Sequence, residues 1–250
     1  MTYFFVILFF MLILETVVGF GSTSIGIPIL SLVLGTELSV NLMATTGLFL
    51  CLVIFVTQIR KMDRRQFLII AAGILPFLPV GYALYSQIRP FEWLLRLVMG
   101  AVVTLVAGHE LWRRLVKKDD SDLPRWAVYT ALALGSIVEA MFSMGGPLIN
   151  VYTLTRIKDK SVFRATMSAI WVMTISFSMV YRIFFLRAYS ASTWTWILYA
   201  LPLVIIGFLL GNKLHYKVPA EKFVTIVYSV QLISGLFSIL GGVLLLAGIS

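Results

Sequence analysis

Charge is scarce in this chain, and so are cysteine and histidine. Only 12% of the 250 residues are charged, against roughly 25% in an ordinary soluble domain. Sixty per cent are hydrophobic, more apolar surface than a soluble core of this size can hide. Cys51 is the single cysteine, which excludes an internal disulfide and a cysteine metal cluster. Neither His-Glu-x-x-His, Cys-x-x-Cys, a phosphate-binding glycine loop nor a nucleophile elbow occurs, so metalloproteases, redox enzymes and nucleotide-driven pumps are not supported. The chain is expected to be no enzyme and to carry no cofactor and no metal. Met1 to Leu14 has no basic stretch and no small-residue cleavage site after it, so no removable signal peptide is expected.

What remains is hydrophobic sequence. Eight apolar segments can be drawn, at about 3–34, 40–59, 67–85, 91–112, 126–155, 165–185, 193–211 and 221–248, each sufficient for a hydrocarbon layer about 30 Å thick. The expected fold is therefore all-α, with residues 1–250 forming one membrane domain in the cytoplasmic membrane. The net charge of +9 resides in short loops, where it sets topology rather than attracting nucleic acid. The lipid bilayer is the expected large-scale partner, and a homo-oligomer is compatible with this reading.

The first and fifth segments are interrupted, by Gly19-Phe20-Gly21-Ser22-Thr23-Ser24 and by Ser143-Met144-Gly145-Gly146-Pro147, through which a helix is hard to continue. The interruptions align at an offset of 124 residues, Glu15 with Glu139, Gly21 with Gly145 and Leu30 with Leu154. With small gaps Arg60 falls near Arg182, and Pro76 and Gly81 repeat as Pro202 and Gly207. The chain reads as two homologous halves of four segments, 3–112 and 126–248, joined by a hydrophilic linker at 113–125. Pro76 and Pro202 are expected to kink the third and seventh segments at equivalent depths.

Loop charges orient the halves. If all eight segments cross, the basic residues divide almost evenly, which is unusual. If the first and fifth are re-entrant hairpins, one face receives Arg60, Lys61, Arg64 and Arg65, the five of 113–125, the four of 156–164, and Lys213, Lys217 and Lys222. These are sixteen of the 20 basic residues. The halves are then inverted repeats, with both termini outside and the linker cytoplasmic.

Non-helical backbone at membrane depth is tolerated only when buried in protein or lining a wet cavity, so the two breaks are expected to face each other. Helices restarting near Ser24 and near Leu148 would aim free N–H groups and positive dipole ends at the bilayer centre, an anion site in outline. Its substrate-binding candidates are Gly19, Gly21, Ser22, Thr23 and Ser24 from one break and Ser143, Gly145, Gly146 and Asn150 from the other. The alternative is that small residues only let helices pack. Glu15 and Glu139 lie about 18 to 20 Å into their segments, where a charge must be protonated, paired or wet. They either carry protons or brace the hairpins through a structural hydrogen bond. Asn41, Thr45, Gln58, Arg164 and Thr166 are secondary pore-lining candidates, Arg164 being readable also, and more readily, as a cytoplasmic anchor.

The duplicated glycine-rich break after a hydrophobic start, Gly19 through Pro28 and again Glu139 through Leu154, resembles the sulfite exporter TauE/SafE family over nearly the whole chain. The resemblance implies export of a small anionic substrate, with sulfite, sulfoacetate and related organosulfonates as the best-known class. Ser22, Thr23 and Ser24 stand where that family usually has a glycine run, and Tyr152 where it usually has proline, which leaves the particular anion open. A passive anion channel would use the same helix ends.

Overall fold

The computed structural model describes residues 2–88, 91–117 and 123–248. Among these residues every regular element is helical: α1 (Thr2–Val18), α2 (Ser22–Leu34), α3 (Thr36–Gln58), α4 (Arg64–Ile74), α5 (Phe77–Ile88), α6 (Glu92–Trp112), α7 (Arg125–Phe142), α8 (Gly146–Arg156), α9 (Lys160–Phe184), α10 (Ala191–Lys217) and α11 (Ala220–Leu246). The expected linker begins as a π-helical extension of α6, Arg113–Lys117, and residues 118–122 of it lie outside the described residues.

Five helices, α3, α6, α9, α10 and α11, are long and apolar enough to cross a membrane, α3 and α6 with their short extensions. A sixth such unit is the pair α4 and α5, bent by 41° at its break. The expected kink at Pro76 is therefore an interruption, because Pro76 and Pro79 together withdraw two amide donors from adjoining turns. The matching Pro202 does not break its helix: α10 runs continuously from Ala191 to Lys217, having only one missing donor to accommodate.

The other two expected segments are pairs of shorter helices that fold back. Glu15 meets Ser22 across the first turn, and farther along Met11 of α1 lies against Gly26 of α2. In the second, Gly135 of α7 lies against Leu148 and Ile149 of α8, and the Tyr129 and Tyr152 rings are 5.6 Å apart. The helices restart at Ser22 and Gly146, within two residues of the expected points.

Packing ties the first half to the second throughout. Helices α3 and α9 run antiparallel: Asn41 near the start of α3 donates to the Ala188 carbonyl beyond the end of α9, whereas the Asp63 amide donates to Thr166 near the start of α9. The pair α6 and α11 is likewise antiparallel, with Gly242 against Trp93, Gly235 against Thr104 and Gly108 against Leu232. By contrast α1 and α10 run parallel, Leu12 against Gly207 and Thr16 against Gly211, and α7 runs parallel to α4 and α5, Leu132 against Gly73 and Ala140 against Gly81.

The enclosed centre is built from α3 and α9, whose buried faces supply Leu48, Cys51, Phe163, Met167 and Trp171 to the main core. Helix α10 exposes Leu198, Tyr199, Ile205, Ile206 and Leu209. An outward apolar surface of this kind is stable against lipid, not water.

Candidate functional site

Glycine lets both chain breaks form, for different physical reasons. At the first, Gly19 and Gly21 have φ of +91° and +110°, a backbone region that a side chain disfavours. At the second, Ser143 takes the left-handed turn with φ 55°, and Gly145 has an ordinary φ of −71°. A side chain at Gly145 would instead collide with the Gly135 carbonyl oxygen and with Glu139. The first break needs glycine for conformation and the second for space.

The breaks meet as expected. Phe20 lies against Gly146, and one small cavity is lined by Glu15, Phe20, Gly21, Thr23, Ser24, Glu139, Gly146, Trp171 and Ile175. It has room for about one water molecule. Glu15 and Glu139 are both 4% exposed. The Glu15 carboxylate accepts from the Ser22 hydroxyl at the start of α2, and from the Cys51 thiol of α3 at 3.2 Å. The Glu139 carboxylate accepts from the Gly145 amide at 3.0 Å, immediately before α8, and from the Thr174 hydroxyl of α9 at 3.3 Å. Among the described residues neither carboxylate forms an ion pair; the buried ion pairs involve Glu92 and Glu110.

The opposite helix ends are met by side-chain N–H donors, two of them guanidiniums. The last carbonyls of a helix lack intrahelical donors and carry its negative dipole end. Arg164 donates to the Thr16 carbonyl at 3.0 Å and His215 Nδ1 to the Val17 carbonyl at 2.7 Å, while Trp171 Nε1 donates to the Gly19 carbonyl at 2.8 Å. At the end of α7, Arg182 donates to the Met141 carbonyl at 3.0 Å. Helix α9 thus caps both broken helices, Arg164 near its start serving α1 and Arg182 near its end serving α7.

Of the sequence candidates, Gly21, Thr23, Ser24, Gly146, Glu15 and Glu139 share the cavity, with Ser22 and Gly145 bonded to the carboxylates and Gly19 held behind by Trp171. Ser143 and Asn150 are fully buried beside the second break, outside that lining, with the Ser143 hydroxyl and both Asn150 amide atoms unpaired among the described residues. Of the secondary candidates Arg164 lies behind the first break, against Gly19, and none is in the cavity lining. Asn41 and Thr45 bind Ala188 and Tyr189 at one end of the α3–α9 pair, while Gln58 and Arg164 bind Asn212, and Thr166 binds Asp63, at the other. Sequence reasoning missed Trp171 and Cys51. Trp171 was legible as part of a stripe on α9, Arg164, Ser168, Trp171, Thr174, Ser178 and Arg182, which keeps one helical face.

A multi-pass helical membrane protein whose two broken hairpins converge on a buried pair of carboxylates is the class these features define. The chain belongs to the sulfite exporter TauE/SafE family, whose pattern matches residues 4–238. It is 29% identical over 147 residues to a protein of Comamonas testosteroni described as "Probable inner membrane transporter protein TsaS", a match covering 56% of this chain and 57% of that protein's length. No solved structure matches.

Proposed function

We propose that the protein is a secondary transporter that exports small anions, of the class of sulfite, sulfoacetate and related organosulfonates, across the cytoplasmic membrane. The observation that carries this reading is the convergence of the starts of α2 and α8 on one cavity, where helix dipoles and amide and hydroxyl donors favour an oxyanion. Family membership and the transporter described in Comamonas testosteroni support it.

The two halves are read as inverted repeats, 3–112 and 126–248, with both termini outside and the linker cytoplasmic. The equivalent helices α3 and α9 are antiparallel neighbours, as are α6 and α11, which is the relation expected when one half is turned over. The loop charges agree. One end of the molecule gathers Lys61, Lys160 and Lys217 with the arginine-rich start of α4, while the other carries an open polar pocket lined by Glu37 and Glu92. Under the positive-inside rule the basic end is cytoplasmic. The open polar pocket then faces outside.

A passive channel would share these helix ends. The carrier reading is favoured because the space between the carboxylates holds about one water, so passage of a larger anion demands rearrangement. Vesicles containing the purified protein should take up labelled sulfite or sulfoacetate, and unlabelled anion preloaded inside should accelerate that uptake by counterflow. Flux without counterflow would make the protein a channel, and no flux of any small oxyanion would refute the transport reading.

A further inference from the structure

Four of the polar donors around the cavity are already in use. Ser22 and Cys51 donate hydrogen bonds to the two oxygens of Glu15, and the Gly145 amide and Thr174 donate to the two oxygens of Glu139. Two of the four, Ser22 and Gly145, stand at the helix starts that would recognise a substrate oxyanion. A carboxylate presents the same planar pair of acceptor oxygens that such donors seek in a sulfonate or sulfite.

We propose that Glu15 and Glu139 are tethered substitutes for the transported anion, and that substrate binds by displacing at least one carboxylate from its helix start as that carboxylate takes a proton. This rests on the reading of the cavity as the anion site. The charge balance requires the proton. The groups facing the pair are Ser22 of α2, Cys51 of α3, Tyr82 of α5 and Thr174 of α9. The buried guanidiniums of α9, Arg164 and Arg182, donate to the Thr16 and Met141 carbonyls instead. With no cation against the carboxylates among the described residues, a substrate anion would make a third negative charge in a space of about one water. A carboxylate that surrenders its donors also leaves an unpaired buried charge, which is costly unless it becomes the neutral acid. Displacement therefore consists of a carboxylate accepting one proton from water and turning away, while the oxyanion takes over the freed N–H and O–H groups.

Binding one monoanion with one proton leaves the net charge of the site unchanged. Anion and proton then cross together in the same direction, and export is driven by the outward gradient of the anion.

The test uses purified protein in detergent and methanesulfonate as probe, a monoanion whose charge is constant from about pH 6 to about pH 9. Adding methanesulfonate to weakly buffered protein should take up about one proton per anion bound, and the dissociation constant should rise about tenfold per pH unit on the alkaline side. Glu139→Gln or Glu15→Gln, whose amide oxygen still accepts from Gly145 or Ser22, should flatten that slope in at least one case. Binding with no proton uptake and a pH-independent affinity overturns the inference while leaving anion transport standing. A slope that persists unchanged in the double variant also overturns it. Absence of both binding and vesicle flux for sulfite, sulfoacetate and methanesulfonate at every pH removes the transport reading and this inference together.

Discussion

Replacing Gly145 by alanine isolates the spatial requirement of the second break. Its φ of −71° suits any residue, so backbone strain plays no part. The added methyl carbon would start 1.9 Å from the Gly135 carbonyl oxygen, whereas a relaxed C···O contact needs about 3.3 Å. The α7–α8 hairpin must then open by about 1.4 Å. Overpacking of this kind costs about 1–3 kcal/mol, and opening also weakens the bond from the Gly145 amide to the Glu139 carboxylate, of a type worth about 1.5–3 kcal/mol. Because the two losses share one movement they do not simply add, and about 3 kcal/mol is the expected destabilisation. For a chain of this size that lowers the melting temperature by about 6–12 °C. Thermal unfolding of purified protein in detergent, followed by tryptophan fluorescence, measures it. Gly146→Ala is the control, since its methyl would lie 3.5 Å from the Trp171 ring, an ordinary contact. Gly35→Ala, with φ +76° and ψ 158° in a backbone region that is nearly glycine-only, and with open space around it, should lose about 1–3 kcal/mol through backbone strain alone. If Gly145→Ala melts and transports like the wild type, the close approach does not govern the hairpin.

Two further outcomes are expected. Arg164→Met and Arg182→Met should each destabilise the protein by about 1–3 kcal/mol, because each strips the donor from a buried helix-terminal carbonyl; Arg164→Lys should recover part of the loss, and methionine variants melting like the wild type would refute the capping role. In a Cys51→Ser background, cysteines introduced singly at Glu37 and Asp159 should differ towards a membrane-impermeant thiol reagent applied outside, with only the Glu37 site reacting; equal labelling of both would refute the inverted arrangement.

The two breaks were legible because their requirement is written in backbone chemistry. Gly19, Gly21 and Gly145 interrupt otherwise apolar sequence, and the offset shared with Glu15 and Glu139 marked them as equivalent. The fold-back and the shared cavity followed from the rule that irregular backbone avoids lipid. The opposite behaviour of Pro76 and Pro202 was less accessible, since it depends on Pro79 adding a second missing donor nearby. Asn41, Thr45, Gln58 and Thr166 read as secondary pore-lining candidates because they are polar groups in apolar segments, but a polar residue alone does not reveal which neighbour satisfies it. Here the partners are Ala188, Tyr189, Asn212 and Asp63, each more than a hundred residues away in the chain. Cys51 reads as a small apolar filler because its donation to Glu15 depends on which face of α3 meets α1, a tertiary fact without local signature.

The exchange of partners between the halves also bears on how the protein is made. Helix α6 leaves the ribosome long before its principal neighbour α11 exists, and α1 waits equally for α10, with the glycine contacts that would seat them still unmade. Until the final helix is inserted, the early hairpin keeps a buried-type carboxylate and an uncapped helix end without the arginine, histidine and tryptophan that complete it. A nascent chain halted at the linker would therefore be a recognisable unfinished object for membrane quality control, and coexpressed half-chains should survive only when both are present.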